Sequence, residues 1–286
     1  MKKTVVTLLS VVALGASAQA KTQTENAAAK GKMEVYDFDT FRIHVYYTND
    51  ALGNASFIIE GKDGLVSLET PLFLDNIAEF KAYMRKLEKP IVARIADYHL
   101  GGTDQHDIIM AEGMSSFTKG ELYSGIMKRF AEVWGSSVTG LPTGKIHEVA
   151  FGKTQEYAGV SFLFQHGATS DFPAASILIG GKVYYTHWTP VEAHINPLQV
   201  NSIAAIEAEI AEAEKSLQSG AELFIGGHGG ATERKAVEFK IAYLQTLKKL
   251  ATECTNAEAF VSAVHEAYPN LSGEENLQGL AAALYR

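Results

Sequence analysis

Four apolar runs in this 286-residue chain each end on a histidine, and that repeated ending limits what the chain can fold into. His99 follows the run 91–96, His166 the run 160–165, His187 the run 182–186 and His228 the run 223–225. Short runs rich in β-branched and aromatic residues read as strands. Ligand sites in α/β architectures gather just beyond strand ends, and neutral imidazole is the commonest metal ligand. The four histidines therefore predict loops that converge on one edge of a sheet. Glycines on both sides of His228, in GGHGG at 226–230, let backbone approach a ligand closely.

The run before His99 opens the stretch IVARIADYHLGGTDQHDIIMAE at 91–112. It reads as a strand, a tight loop at Gly101-Gly102, and a helix carrying Ile108, Ile109 and Ala111. Spacing i, i+2 along an extended segment sends two side chains to one side, so Asp97 and His99 can converge on one ion. A single D-x-H is also an ordinary solvated strand end, and its weight comes from the histidines downstream.

Either side of this stretch the chain alternates β-rich blocks with helices. Strands are predicted at 35–41, 42–48, 55–60 and 65–68, with a hairpin turn at Lys62-Asp63-Gly64. A helix follows at 76–87 and ends at Pro90. Beyond Gly113 come a short strand at 114–116, a helix at 119–134 and a Gly/Ser/Pro-rich loop at 135–144. A second β block covers 146–151, 160–165, 175–179 and 183–186, with Gly180-Gly181 as a hairpin turn. The helix at 202–217 has Ser202 as N-cap and Glu207, Glu209, Glu212 and Glu214 on its wet side. A short strand at 223–225 and helices at 232–250, 256–267 and 273–285 complete the chain. The expected fold is α+β, two packed sheets with helices outside.

The N-terminus sets the compartment. Lys2 and Lys3 precede an apolar run at 5–14, and Ala18-Gln19-Ala20 supplies a small-x-small cleavage pattern. A transmembrane helix needs about 20 apolar residues, so residues 1–20 are predicted to be a cleaved signal peptide. A disordered leader at 21–32 and a single domain at 33–286 follow, in a periplasmic or secreted protein with no stable membrane insertion after cleavage. Cys254 is the only cysteine, so no internal disulfide can form and the core must carry the fold. The formal net charge of −8, more negative once two lysines leave with the signal, disfavours nucleic acid and anionic membranes as partners.

Among the nine histidines, His106 has a weaker claim on a helix after the glycines, His194 reads as a rim residue, and His44, His147 and His265 read as structural or exposed. Other chemistries lack their residues: there is no G-x-S-x-G elbow, no H-E-x-x-H helix and no phosphate loop at 226–230. Cys254 has no histidine near it in sequence to make it a nucleophile.

Over residues 37–250 the chain resembles the metallo-β-lactamase superfamily. GLVSLETP at 64–71 is similar to the family's apolar strand ending in an acidic residue and threonine. ADYHLGGTDQ at 96–105 is similar to its H-x-H-x-D-H loop, QHGAT at 165–169 to its Gly-His-Thr turn, and GHG at 227–229 to its terminal Gly-His-Gly. In one register Asp97 replaces the first histidine, His99 keeps the second, and Gly101 and Gly102 replace the aspartate and the next histidine. His187 falls near the aspartate that bridges two metals. A competing register leaves Arg94, Ala96 and Tyr98 at ligand positions and matches His99 alone.

The resemblance implies an αββα sandwich of two mixed β-sheets with external helices and metal ligands on one edge. Under the first register Asp97, His99 and His166 make one metal position with an open site, suited to one zinc ion per chain, with iron as the alternative. His187 and His228 become further ligands, or catalytic groups that orient a small-molecule substrate and move protons. Glu69, Asp104 and Asp171 are carboxylates placed to support the ligands. Phe57, Tyr98, Trp134 and Trp188 are candidates for apolar walls. The function implied is mononuclear metal-hydroxide attack on an ester, lactone or amide. The other reading is a catalytically lapsed scaffold that binds a small ligand or partner.

Overall fold

Residues 32–70 are rich in β-branched and aromatic side chains, and they fold as an antiparallel meander. Its strands are β1 (Lys32–Asp37), β2 (Arg42–Tyr47), β3 (Ala55–Gly61) and β4 (Gly64–Thr70). In this computed structural model residues 31–101, 106–140, 143–168 and 175–286 are described. The expected signal peptide, most of the leader, and Gly102, Asp104 and Asp171 lie outside them. Lys62-Asp63 form the turn between β3 and β4, as the sequence predicts.

The chain divides into two compact units. Residues up to Phe162, with Gly227–Gly230, form one, and Leu163–Gly226 with Ala231–Arg286 form the other. In the first unit helix α1 (Leu74–Lys86) carries the chain from β4 to β5 (Ile91–Leu100), which pairs parallel with β4. Strands β6 (Ile108–Ala111) and β7 (Ile146–Val149) add in parallel and complete a seven-stranded sheet in sequence order. Because β4 and β5 are parallel, Glu69 and Thr70 finish at the same edge as Asp97, Tyr98 and His99. Tyr46, Ile58 and Leu65 on the sheet pack with Phe80 and Met84 of α1.

The expected helix after Gly102 is strand β6. Ile108 and Ile109 are β-branched, and pairing to β5 and β7 outweighs a helical spacing read from three residues. Residues 114–118 reverse the error: they form helix α2 (Met114–Thr118), with buried Met114 and Thr118 one turn apart and the Thr118 hydroxyl donating to the Met114 carbonyl at 3.0 Å. Helix α3 (Glu121–Trp134) follows, then a 3₁₀ turn at Gly135–Ser137. Strand β8 (Thr154–Tyr157) has a polar sequence that gives no strand signal. It is identified by Ala158 and Gly159, both at positive φ, which turn it into β9 (Val160–His166).

Strands β10 (Ala175–Ile179) and β11 (Val183–Trp188) form the expected hairpin. Gly180 and Gly181 both have positive φ, and Lys182 N–H donates to the Ile179 carbonyl at 3.0 Å. With β12 (Leu223–His228) and β13 (Gly230–Thr232) the second sheet runs β13-β12-β11-β10-β9-β8. In the second unit α4 (Ile203–Gln218), α5 (Arg234–Glu253), α6 (Ala257–Ala267) and α7 (Glu274–Leu284) enclose a core that includes Ile206, Tyr243, Leu247, Phe260 and Leu277. Ser202 caps α4 by accepting from Ala205 N–H at 3.1 Å.

The wet side of α4 needs correction, because Glu209 and Glu212 are buried. Lys240 of α5 reaches Glu209 at 2.6 Å, and the Tyr184 hydroxyl donates to Glu212 at 2.8 Å. A buried carboxylate is tolerated when paired in this way. His194, expected at a rim, is also buried, with Nδ1 2.7 Å from the Tyr243 hydroxyl. Among the described residues no helix is long and apolar enough to cross a membrane.

His44 is structural, as expected. It is buried on β2 with Nδ1 2.9 Å from the Tyr83 hydroxyl and Nε2 3.0 Å from the Glu60 carboxylate, which Lys89 also reaches at 2.8 Å. Burial holds the His44 pKa below its ordinary value, against the attraction of Glu60. Burial would raise Glu60, but the hydrogen bonds from Lys89 and His44 together bring it below its usual value. Both folded values lie below the unfolded ones. The stability they contribute is therefore complete above about pH 6.5 and is lost as pH falls through the folded values. Urea midpoints should drop as pH is lowered from 7 to 4.5. His44→Asn should flatten the part of that slope just below pH 6.5, and an unchanged slope would remove His44 from the account.

Candidate metal centre

At the shared end of β4 and β5 the organising residue is Glu69. Its side chain is fully buried and its backbone is left-handed at φ 59°, unusual for a residue with a side chain. Oε1 accepts from Asp97 N–H at 2.5 Å, and Oε2 accepts from His99 N–H at 2.9 Å. The same Oε2 lies 3.0 Å from His99 Nδ1. One carboxylate thus fixes the backbone of the strand end and lies beside the ring it presents. The sequence suggests Glu69 only as a supporting carboxylate; the parallel pairing of β4 with β5 puts it under His99.

His228, at the end of β12, is held by the loop between β2 and β3. Its Nδ1 lies 3.3 Å from the Leu52 carbonyl, Asn54 bridges to it, and Gly229 N–H donates to the Gly53 carbonyl at 3.2 Å. Burial, and then the neighbouring His99, push the His228 pKa well below its ordinary value, so the ring is neutral. A neutral ring with Nδ1–H given to a carbonyl keeps its lone pair on Nε2, the arrangement metal-binding histidines adopt. The His99 and His228 rings meet edge to face with centroids 4.7 Å apart. Gly227 is required by this approach: a Cβ there would stand 2.9 Å from His99 Cε1.

His187 closes β11 and packs edge to face on Trp188, centroids 5.4 Å apart. His99, His187 and His228 each offer a ring nitrogen, and these lie within 4.8 Å of one another, so the three can hold a metal ion. Among the described residues this is the set that converges. Asp97 is buried and outside it, its N–H spent on Glu69. His166 is also outside it, an exposed residue whose carbonyl accepts from Ser176 Oγ at 3.3 Å and from Lys215 Nζ. His106 lies in coil before β6, and His147 and His265 are exposed partners of Asp107 and Glu274. Of the expected wall residues, Phe57 and Trp134 are core, while Tyr98 and Trp188 are half-buried.

Orienting carboxylates are worth about 10- to 100-fold in metal affinity. Glu69→Gln turns one acceptor into a donor facing N–H groups. Its zinc affinity, read by competition with a chromophoric chelator, is expected to fall by about that factor. Unchanged affinity would reduce Glu69 to a fold residue.

Seven- and six-stranded mixed sheets with seven helices among the described residues are the architecture of one class: this chain has the metallo-β-lactamase fold. It is a divergent form, with Asp97 and Gly101 where the resemblance expects histidine and aspartate. A stereoselective inverting sec-alkylsulfatase from Pseudomonas sp. superposes with a TM-score of 0.60 at 16% identity, covering 88% of this chain and 50% of that one. The chain thus spans half the length of that enzyme. A β-lactamase domain protein from Burkholderia ambifaria gives 0.52 at 13% identity, covering 88% and 87%. An archaeal metallo-β-lactamase superfamily protein from Sulfolobus tokodaii gives 0.50 at 13% identity, covering 79% and 92%. No protein-family model matches the sequence, and no curated protein is similar to it in sequence.

Proposed function

We propose that this chain is an exported, metal-dependent hydrolase of a small ester, lactone or amide, binding one metal ion. The observation that carries the reading is the convergence of His99, His187 and His228, with Glu69 holding the backbone of the first and the Leu52 carbonyl the ring of the last. Histidine ligands suit zinc, and also iron. A metal held there supplies a Lewis acid and lowers the pKa of a coordinated water. The chain's own contribution is to hold three rings in one arrangement and to keep His228 neutral. Sulfate esters join the substrate panel because the sulfatase shares the fold.

The test is elemental mass spectrometry of protein purified without chelator, followed by hydrolysis assays before and after metal removal. About one zinc or iron per chain and metal-dependent turnover are expected. Gly101 in place of the motif carboxylate favours a second reading, a scaffold that binds without turning over. Tight ligand binding by metal-free protein with no turnover on the whole panel would establish it instead.

A further inference from the structure

The loop that holds His228 rests on a buried polar cluster that the metal centre does not use. Asp50, Asn54, Ser56 and Asn76 are each more than nine-tenths buried. Asp50 Oδ2, Asn54 Oδ1, Ser56 Oγ and Asn76 Oδ1 are all without a hydrogen-bond partner among the described residues. Thr48 ties these residues together. Asn76 Nδ2 donates to the Thr48 carbonyl at 2.9 Å, the Thr48 N–H and hydroxyl donate to the Asn54 carbonyl at 3.1 and 2.8 Å, and Asp50 N–H donates to the Thr48 hydroxyl at 3.3 Å. Asp50 Oδ1 in turn accepts from Leu52 and Asn54 N–H at 2.9 and 3.2 Å. Ser56 pairs across the sheet with Tyr46, whose hydroxyl accepts from Asn76 Nδ2 at 3.1 Å.

Two of the unmatched atoms, Asp50 Oδ2 and Asn76 Oδ1, can only accept, whereas the Ser56 hydroxyl and the Asn54 amide can also donate. Asn76 cannot turn its amide over, because its nitrogen is needed at the Thr48 carbonyl. A carboxylate has no proton to give at neutral pH. Two acceptors cannot satisfy one another, and the second carboxylate oxygen of Asp50 is left without the N–H partners that Oδ1 has. No lysine or arginine pairs with Asp50 among the described residues.

We infer that Asp50, Asn54, Ser56 and Asn76 form a second, all-oxygen site that takes a monovalent cation, sodium or potassium, beneath the loop that fixes His228. Oxygen-only donors select hard cations. A single carboxylate balances one positive charge, whereas protein sites for calcium bring in several carboxylates.

The experiment compares thermal midpoints of the metal-loaded protein in sodium, potassium and choline chloride at one ionic strength. Ions that bind only the folded state should raise the midpoint by about 3 °C at roughly ten times Kd, and Asp50→Asn should abolish the difference. Equal midpoints in all three salts would overturn the proposal and leave the oxygens bridged by water. A difference that persists in Asp50→Asn would overturn it too, by placing the ion elsewhere. Should that variant fail to fold, crystals of the wild-type protein grown in rubidium chloride decide. Anomalous density beside Asp50 Oδ2 and Asn76 Oδ1 supports the site, and density elsewhere or none removes it.

Discussion

Alanine at both His99 and His228 is expected to leave a folded protein that no longer holds metal. Both rings end strands, and the cores that carry the fold, around Phe80 in the first unit and Tyr243 in the second, do not include them. Of the three converging nitrogens only that of His187 remains, and one imidazole cannot retain an ion against buffer. Bound metal should fall from about one equivalent to below about 0.1, and metal-dependent hydrolysis by about 10³-fold or more. Elemental mass spectrometry and circular dichroism of the same sample read the two halves of the expectation. His166→Ala is the informative companion. His166 stands outside the converging set, so this variant should keep its metal. If it loses its metal as the double variant does, the ion is held by Asp97, His99 and His166 as the family pattern implied, and the three-histidine centre is wrong.

How much of this arrangement can be read in the sequence depends on the distance over which its cause acts. The strand-end histidines are legible because a β-branched run and the polar residue after it are neighbours in sequence. The hairpin at Gly180-Gly181 is legible for the same reason. Strand β6 is not, because nothing local separates Ile108-Ile109 in a strand from the same pair on a helix; partners β5 and β7 decide it. The wet face assigned to Glu209 and Glu212 fails because their partners, Lys240 and Tyr184, lie far along the chain. At the candidate metal centre the spacing along one strand reaches only part of the geometry. Two residues spaced i, i+2 share a side, but sharing a side does not make them share an ion. The parallel β4–β5 pair gives the backbone of Asp97 and His99 to Glu69, and the rings that join His99 come from other strands. The loop at 48–54, which sets the tautomer of His228, carries no signal in the sequence beyond turn-forming residues.

Placing at Gly101 the aspartate that the resemblance would put there, Gly101→Asp, is expected to damage this protein. Gly101 sits where β4 and β5 leave the sheet, just after Thr70 pairs with Leu100. A Cβ at Gly101 would stand 1.8 Å from the Pro71 carbonyl oxygen, 2.7 Å from its carbon and 3.0 Å from the Thr70 oxygen. All three are backbone atoms, so no side chain can rotate away to make room. The strand ends would have to part, and they are the ends that Glu69 clamps through the N–H groups of Asp97 and His99. Overpacking of this kind costs about 3 kcal/mol or more, and the cost falls on the segment that presents His99. Gly101→Asp should therefore lower both the urea midpoint and zinc affinity, and Gly101→Ala should lower the midpoint nearly as far. That near equality matters, because alanine adds the clash without the carboxylate. If aspartate instead left stability unchanged and brought a second equivalent of metal, the glycine would be a lost ligand. The packing points the other way: glycine is the residue this backbone admits, with the Pro71 and Thr70 carbonyls closed against any side chain.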